Sequence, residues 1–207
     1  MSSQIEVSGT GRASAVPDVV RLRVGVRVDA DDVSTALSDA GSRASGLGQA
    51  ARDHGVAAAD LRTTDTGVHP RHDPQGVTVV GYTAYQNLSV TVRDADLVGT
   101  LVEAFVGAAG NALSIDHIGL DVADPEPLHA RAREAAFLDA RTKAEQYAAL
   151  AGRELGKVRE LCDVVQGGPQ PRMAMMAGRA ADTSVELGEH TVTATVVVRW
   201  DWKQTHG

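Results

Sequence analysis

The sequence predicts an α+β fold: an antiparallel sheet of long strands with helices packed on one face. Three observations carry this expectation. Long stretches alternate aliphatic and polar residues with period two, most regularly from Val20 to Val28. Other stretches place apolar residues at helical spacing. Their succession along the chain is strand, strand, helix, strand, strand, helix, strand, helix, strand, strand, the rhythm of hairpins separated by packed helices.

The first strand begins near Ile5 and meets Gly9-Thr10-Gly11, read as a tight corner. In the second strand Val20, Leu22, Val24, Val26 and Val28 point one way. Arg21, Arg23, Gly25 and Arg27 point the other, so one face is aliphatic and its reverse carries three arginines. Asp29-Ala30-Asp31-Asp32 then supplies capping carboxylates for a helix with Val33, Leu37, Ala40, Ala44, Leu47 and Ala51 on its stripe, ending at Gly55. A strand over Leu61–Val68 leads into a hairpin-like connection from His69 to Gly76. The next strand turns Val80, Tyr82, Ala84, Leu88, Val90 and Val92 to one face. Thr83, Tyr85, Asn87, Ser89 and Thr91 take the other.

Asp94 starts a short helix with Leu97, Val98, Leu101, Val102 and Phe105 as its stripe. The following strand changes phase between Leu113/Ile115 and Ile118/Leu120/Val122, which predicts a bulge near Asp116-His117. Asp124-Pro125 reads as the N-cap and first position of a long Ala-rich helix reaching about Ala151. Asp139–Lys143 and Arg141–Glu145 are its i,i+4 ion pairs. A strand near Lys157–Val165 follows. Residues 166–184, containing Gly, Pro and Met without a period, read as a mobile loop. A last alternating strand sets Val192, Ala194, Val196, Val198, Trp200 and Trp202 against Thr191, Thr193, Thr195 and Arg199.

Composition narrows function more than it defines it. The chain of 207 residues has a formal charge of −7, which argues against general binding to nucleic acid or anionic membranes. The arginines at 21, 23 and 27 run against that trend and leave an anionic partner open for their face. Basic residues are almost all Arg rather than Lys, which suggests a GC-rich genome. Cys162 is the single cysteine, so no internal disulfide can form, and its apolar surroundings predict an inert core thiol. No apolar run approaches a membrane span. Met1-Ser2-Ser3-Gln4 has neither a basic nor an apolar leader region, so a cytoplasmic location is expected.

Candidate chemistry is sparse. Gly9-Thr10-Gly11 is followed by another strand rather than a helix, unlike a phosphate-binding glycine loop. His69, His72 and Asp73 form a weak metal candidate: residues three apart on extended chain face opposite ways, so joint ligation needs a turn. The remaining histidines are scattered, and no serine sits in a nucleophile elbow. Met173, Met175 and Met176 can serve as an adaptable partner patch, an oxidant sink or a soft-metal ligand set, or be incidental to a flexible loop. No cofactor and no catalytic residue are assigned.

Several stretches together resemble the SIMPL-domain family, formerly a domain of unknown function. They are residues 7–18, running Val-Ser-Gly-Thr-Gly-Arg-Ala-Ser-Ala-Val-Pro-Asp, and residues 81–90, running Gly-Tyr-Thr-Ala-Tyr-Gln-Asn-Leu-Ser-Val. Residues 140–144 (Ala-Arg-Thr-Lys-Ala), 155–158 (Leu-Gly-Lys-Val) and 188–189 (Gly-Glu) follow in the same order. The resemblance implies an α+β fold and a tendency to form large ring- or channel-like oligomers. It also implies links to oxidative-stress tolerance in bacteria, to surface antigens and to inflammatory-kinase signalling in animals. It brings no agreed catalytic residues. The chain departs from many bacterial relatives in lacking an export signal.

The resulting expectation is one SIMPL-type domain over 1–207, with two intertwined α+β halves at about 1–92 and 93–207. Its function is read as non-enzymatic self-assembly into a homo-oligomer, supporting stress tolerance in a bacterial cytoplasm. Arg21, Arg23, Arg27, Met173, Met175 and Met176 are the interaction candidates. The alternative is a small-molecule or metal-binding module using the His69/His72 loop or the Met173–Met176 loop.

Overall fold

In a computed structural model the placement of residues 4–164 and 189–203 is described. Strand β1 (Gln4–Ala15) is followed by β2 (Val19–Ala30), α1 (Val33–Asp53), β3 (Leu61–His72), β4 (Val79–Val92), α2 (Leu97–Ala109), β5 (Leu113–Asp121), α3 (Glu126–Leu150), β6 (Leu155–Asp163) and β7 (His190–Trp202). This is the expected order of elements and an α+β fold. The strands form two antiparallel sheets instead of one, ordered β1-β7-β6 and β3-β4-β2-β5. The loop expected over 166–184 lies outside the described residues.

Contacts divide the chain into two units, one of Met1–Pro17 with Val122–Gly207 and the other of Asp18–Asp121. The breaks therefore fall at 17/18 and 121/122 rather than near 92. The reason is that β1 pairs along its whole length with β7 at the far end of the chain, from Gln4↔Asp201 to Ala15↔His190. The first unit is thus closed by its two ends, and the second is one continuous insertion between them.

In the continuous unit, β4 and β5 flank β2, and β3 lies outside β4. Val20, Leu22, Val24 and Val26 are buried with Ala84, Leu88, Val90 and Val92. Onto this face pack Ala36, Ala40, Ala44, Leu47 and Ala51 of α1 and Leu101, Phe105 and Ala109 of α2. Asp32 caps α1 by accepting a hydrogen bond from the Thr35 amide at 2.9 Å. The expected bulge is present: Arg23 pairs with His117 and Val24 with Ile115, leaving Asp116 as the extra residue.

In the closed unit, α3 lays Leu128, Ala132, Ala136, Ala140, Ala144 and Ala148 against β1 and β7. Val7, Val196, Val198 and Trp200 complete the main core. Gly9 and Gly11 are not a corner. They lie within the uninterrupted β1, beneath the α3 alanine stripe. A Cβ built on Gly9 would lie 2.6 Å from the Ala140 Cβ, and one on Gly11 would lie 2.7 Å from the Ala135 carbonyl carbon. The helix comes so close that only glycine fits below it, which is a packing role and not a conformational one.

The same helix covers the outer edge of β1. The Thr10 amide donates to Asp139 Oδ2 at 2.8 Å, Lys143 Nζ reaches the Ser8 carbonyl at 3.4 Å, and Arg131 reaches the Ser14 carbonyl at 3.2 Å. Backbone groups that would template another strand are so occupied by α3 side chains. The Asp139–Lys143 and Arg141–Glu145 pairs form as expected. The Asp124 side chain accepts from the Glu126 amide, although Pro125 occupies the cap position itself.

Two local expectations need correction. Cys162 is exposed. It lies on β6, an edge strand on which Val158 and Leu161 are exposed as well, because α3 covers β1 and β7 instead. The His69–Gly76 connection is shorter than expected, since β3 continues through Pro70 to His72. A proline is tolerated there because β3 is an edge strand. The turn proper is held by Asp73, whose amide donates to the Thr78 carbonyl and whose Oδ1 accepts from the Val77 and Thr78 amides. Those hydrogen bonds, Val77 first, lower the Asp73 pKa.

Candidate functional site

The sheet of the continuous unit buries one face, and the polar alternation of its strands builds the other. Three neighbouring rows meet on that face. The register places Arg27 beside Tyr85 and Gly25 beside Asn87 on β2 and β4, with Asp29 beside Thr83. On the other flank His69 lies beside Thr83, Gly67 beside Tyr85 and Asp65 beside Asn87. Arg27, His69, Thr83, Tyr85 and Asn87 line a shallow depression of about 390 Å³.

Two glycines shape it. Gly67 leaves room for Tyr85 to lie over the β3 backbone: a Cβ there would be 2.5 Å from the hydroxyl oxygen and 2.7 Å from the ring. Gly25 likewise makes room for Asn87, whose Cγ would be 3.2 Å from an added Cβ. Tyr85 stacks with the His69 ring at a centroid distance of 5.4 Å and 23° between planes. Partial burial raises the Tyr85 pKa, with the charge of Asp65 and a hydrogen bond to it adding in the same direction and Arg27 opposing. The phenol therefore stays protonated near neutral pH.

The charges around the depression are unevenly satisfied. Asp29 accepts from Thr83 Oγ1 at 2.5 Å and from Arg71 at 3.0 Å. Arg21 donates to Asp121 at 2.7 Å, tying β2 to β5. Arg23 and Arg27 are exposed, and among the described residues neither makes an ion pair or a hydrogen bond with a carboxylate. The three arginines thus divide into one structural tie and two free guanidinium groups.

The metal candidates are not brought together. His69 is engaged with Tyr85, His72 is an exposed residue opposite Val79 after a register shift, and Asp73 holds its own turn. Among the described residues, no three His, Cys, Asp or Glu side chains converge on a metal-sized site. Met173, Met175 and Met176 lie outside the described residues. A second shallow depression, of about 280 Å³ in the closed unit, is lined by Phe137, Arg141, Glu145, Leu155, Gly156, Val158 and Trp200, with Arg141 and Glu145 paired to each other. The arrangement on the open face offers hydrogen bonds and charge for binding.

Sequence reasoning marked Arg27 and His69 separately and missed Tyr85, Asn87 and Thr83 as their neighbours. The usable signal was the pairing of polar-face glycines on β2 and β3 with large polar residues on β4, which emerges only once the strand register is known.

The sequence pattern of SIMPL, described as a protein of unknown function (DUF541), matches residues 5–200. The chain is 31% identical over 185 residues to the uncharacterized protein YggE of Escherichia coli K12, covering 88% of this chain and 74% of that protein. It is 26% identical over 216 residues to the 26 kDa periplasmic immunogenic protein of Brucella melitensis, covering 97% and 85% respectively. A hydantoinase/carbamoylase family amidase from Burkholderia ambifaria aligns over 58% of this chain and 34% of its own, at 17% identity. Its TM-score of 0.28 supports no inference. No helix among the described residues is long and apolar enough to cross a membrane. The match from Ile5 to Trp200 spans both units and both sheets, and the chain belongs to the SIMPL family.

Proposed function

We propose that this protein works without catalysis, as a self-associating SIMPL domain made of both units, whose open sheet face meets a second copy. The observation that carries this reading is the unmatched charge of Arg23 and Arg27 on a chain whose formal charge is −7. An acidic copy of the same protein is the electrostatic complement of that face. Met173, Met175 and Met176 remain partner-contact candidates in the same reading.

The test is the molar mass from light scattering as a function of protein and salt concentration. Self-association through guanidinium groups weakens as ionic strength rises, because the screening length falls from about 10 Å at 0.1 M to about 3 Å at 1 M. A monomer at every concentration and salt would remove the reading.

Support of oxidative-stress tolerance comes into the proposal from the family resemblance, and survival of a deletion strain in peroxide tests it. The cytoplasmic placement is also part of the proposal. The name of the Brucella relative, a periplasmic protein, weighs against it, and cell fractionation decides between the two.

A further inference from the structure

We propose that the depression bounded by Arg27, His69, Tyr85 and Asn87 is a binding site for a compact monocarboxylate, which would engage the same Arg27 that the self-association reading invokes. Three features select this ligand chemistry.

The first is one unmatched positive charge. Arg27 is exposed at the rim and free of carboxylate partners among the described residues, so its planar fork is available for two parallel hydrogen bonds to a carboxylate. The second is a set of positioned neutral groups. Gly25 lets Asn87 settle with its Oδ1 over the β2 backbone, and this side chain, which carries two N–H donors, lines the depression. Gly67 lets Tyr85 recline and stack with His69, so the wall opposite Arg27 is aromatic and held in place. The third is the surrounding negative charge. Asp65, engaged by Tyr85, and Asp29, engaged by Arg71 and Thr83, stand at two corners of the same patch. They disfavour a phosphate dianion, whereas a single carboxylate balances the one free guanidinium. The depression is open, so a compact ligand fits it better than an extended one that needs enclosure.

Saturation-transfer NMR reads such binding whatever the mass of the protein. The probe is benzoate, with benzyl alcohol as its neutral counterpart and inorganic phosphate as competitor. Benzoate is expected to receive saturation and benzyl alcohol not to. Arg27→Gln is expected to weaken benzoate binding by roughly tenfold or more, the loss of a charge-assisted hydrogen-bond pair. Arg62→Gln, on the same face but outside the depression, should leave it unchanged. Asn87→Leu, a second variant that keeps the free charge, should weaken it by a smaller factor.

Equal saturation of benzyl alcohol, unchanged binding in Arg27→Gln, or displacement of benzoate by equimolar phosphate would each overturn the proposal. Light scattering on the same samples keeps the two readings apart. A protein that is monomeric throughout, yet binds benzoate through Arg27, retains this site and loses the self-association.

Discussion

Gly9 of β1 lies directly beneath Ala140 of α3, so near that a methyl group on the glycine would sit 2.6 Å from the alanine methyl. Real Cβ atoms do not approach that closely, so the strand and the helix are matched as a pair without side chains on one partner. Replacing Gly9 or Gly11 by Ala is expected to destabilise the closed unit by about 1–3 kcal/mol, the usual cost of overpacking. Both tryptophans, Trp200 and Trp202, are on β7 in that unit, so denaturant unfolding followed by Trp fluorescence reads the effect there. An unchanged midpoint would show that α3 can move away from β1 freely.

The same helix holds the edge of β1 through a carboxylate. Lys143 first and the Thr10 amide second lower the Asp139 pKa below its ordinary 3.8. A group with a depressed native pKa contributes stability above its unfolded pKa and loses it as pH falls through the native value. Asp139→Asn should therefore cost roughly 1 kcal/mol at neutral pH, the size of one hydrogen bond. The difference from the parent protein should shrink once the pH drops below about 3.8. Unfolding midpoints measured at neutral pH and in acid check both signs.

Cys162 is on the surface of β6, not in a core. Its thiol is expected to react with Ellman's reagent in the native protein at a rate close to that of the unfolded chain, to one equivalent. Reaction only after denaturation would mean that β6 is covered.

Tyr85 depends on Gly67 for its position. Gly67→Ala should push the phenol off the β3 backbone and break its stacking with His69, because the added carbon would be 2.5 Å from the hydroxyl oxygen. The expected readout is a shift of the His69 ring proton resonances with little change in global stability, since the site is on the open face. Unchanged resonances would show that the ring has another resting place.

Local spacing and long-range packing divide what is legible in the amino-acid sequence from what is not. Order and type of the elements are legible because period-two and helical spacing are local properties, and the phase change at Ile115–Ile118 shows the Asp116 bulge for the same reason. The role of Gly9 and Gly11 is hidden, because glycine suggests a turn unless a helix more than a hundred residues later is known to lie on it. Cys162 is misjudged on apolar neighbours alone, since its exposure follows from β6 being an edge strand that α3 leaves uncovered. The depression depends on register as well, since Arg27, Tyr85 and His69 belong to three different strands.

The claim that matters most is that the open arginine face joins copies of this protein. Molar mass by light scattering, measured over protein concentration for the parent and for Arg23→Glu combined with Arg27→Glu, tests it most directly. Self-association predicts a mass above the 21.6 kDa chain that rises with concentration at low salt, and a fall to the monomer in the charge-reversed variant. A parent protein that stays at the monomer mass throughout, or a variant whose mass matches the parent's, would contradict it.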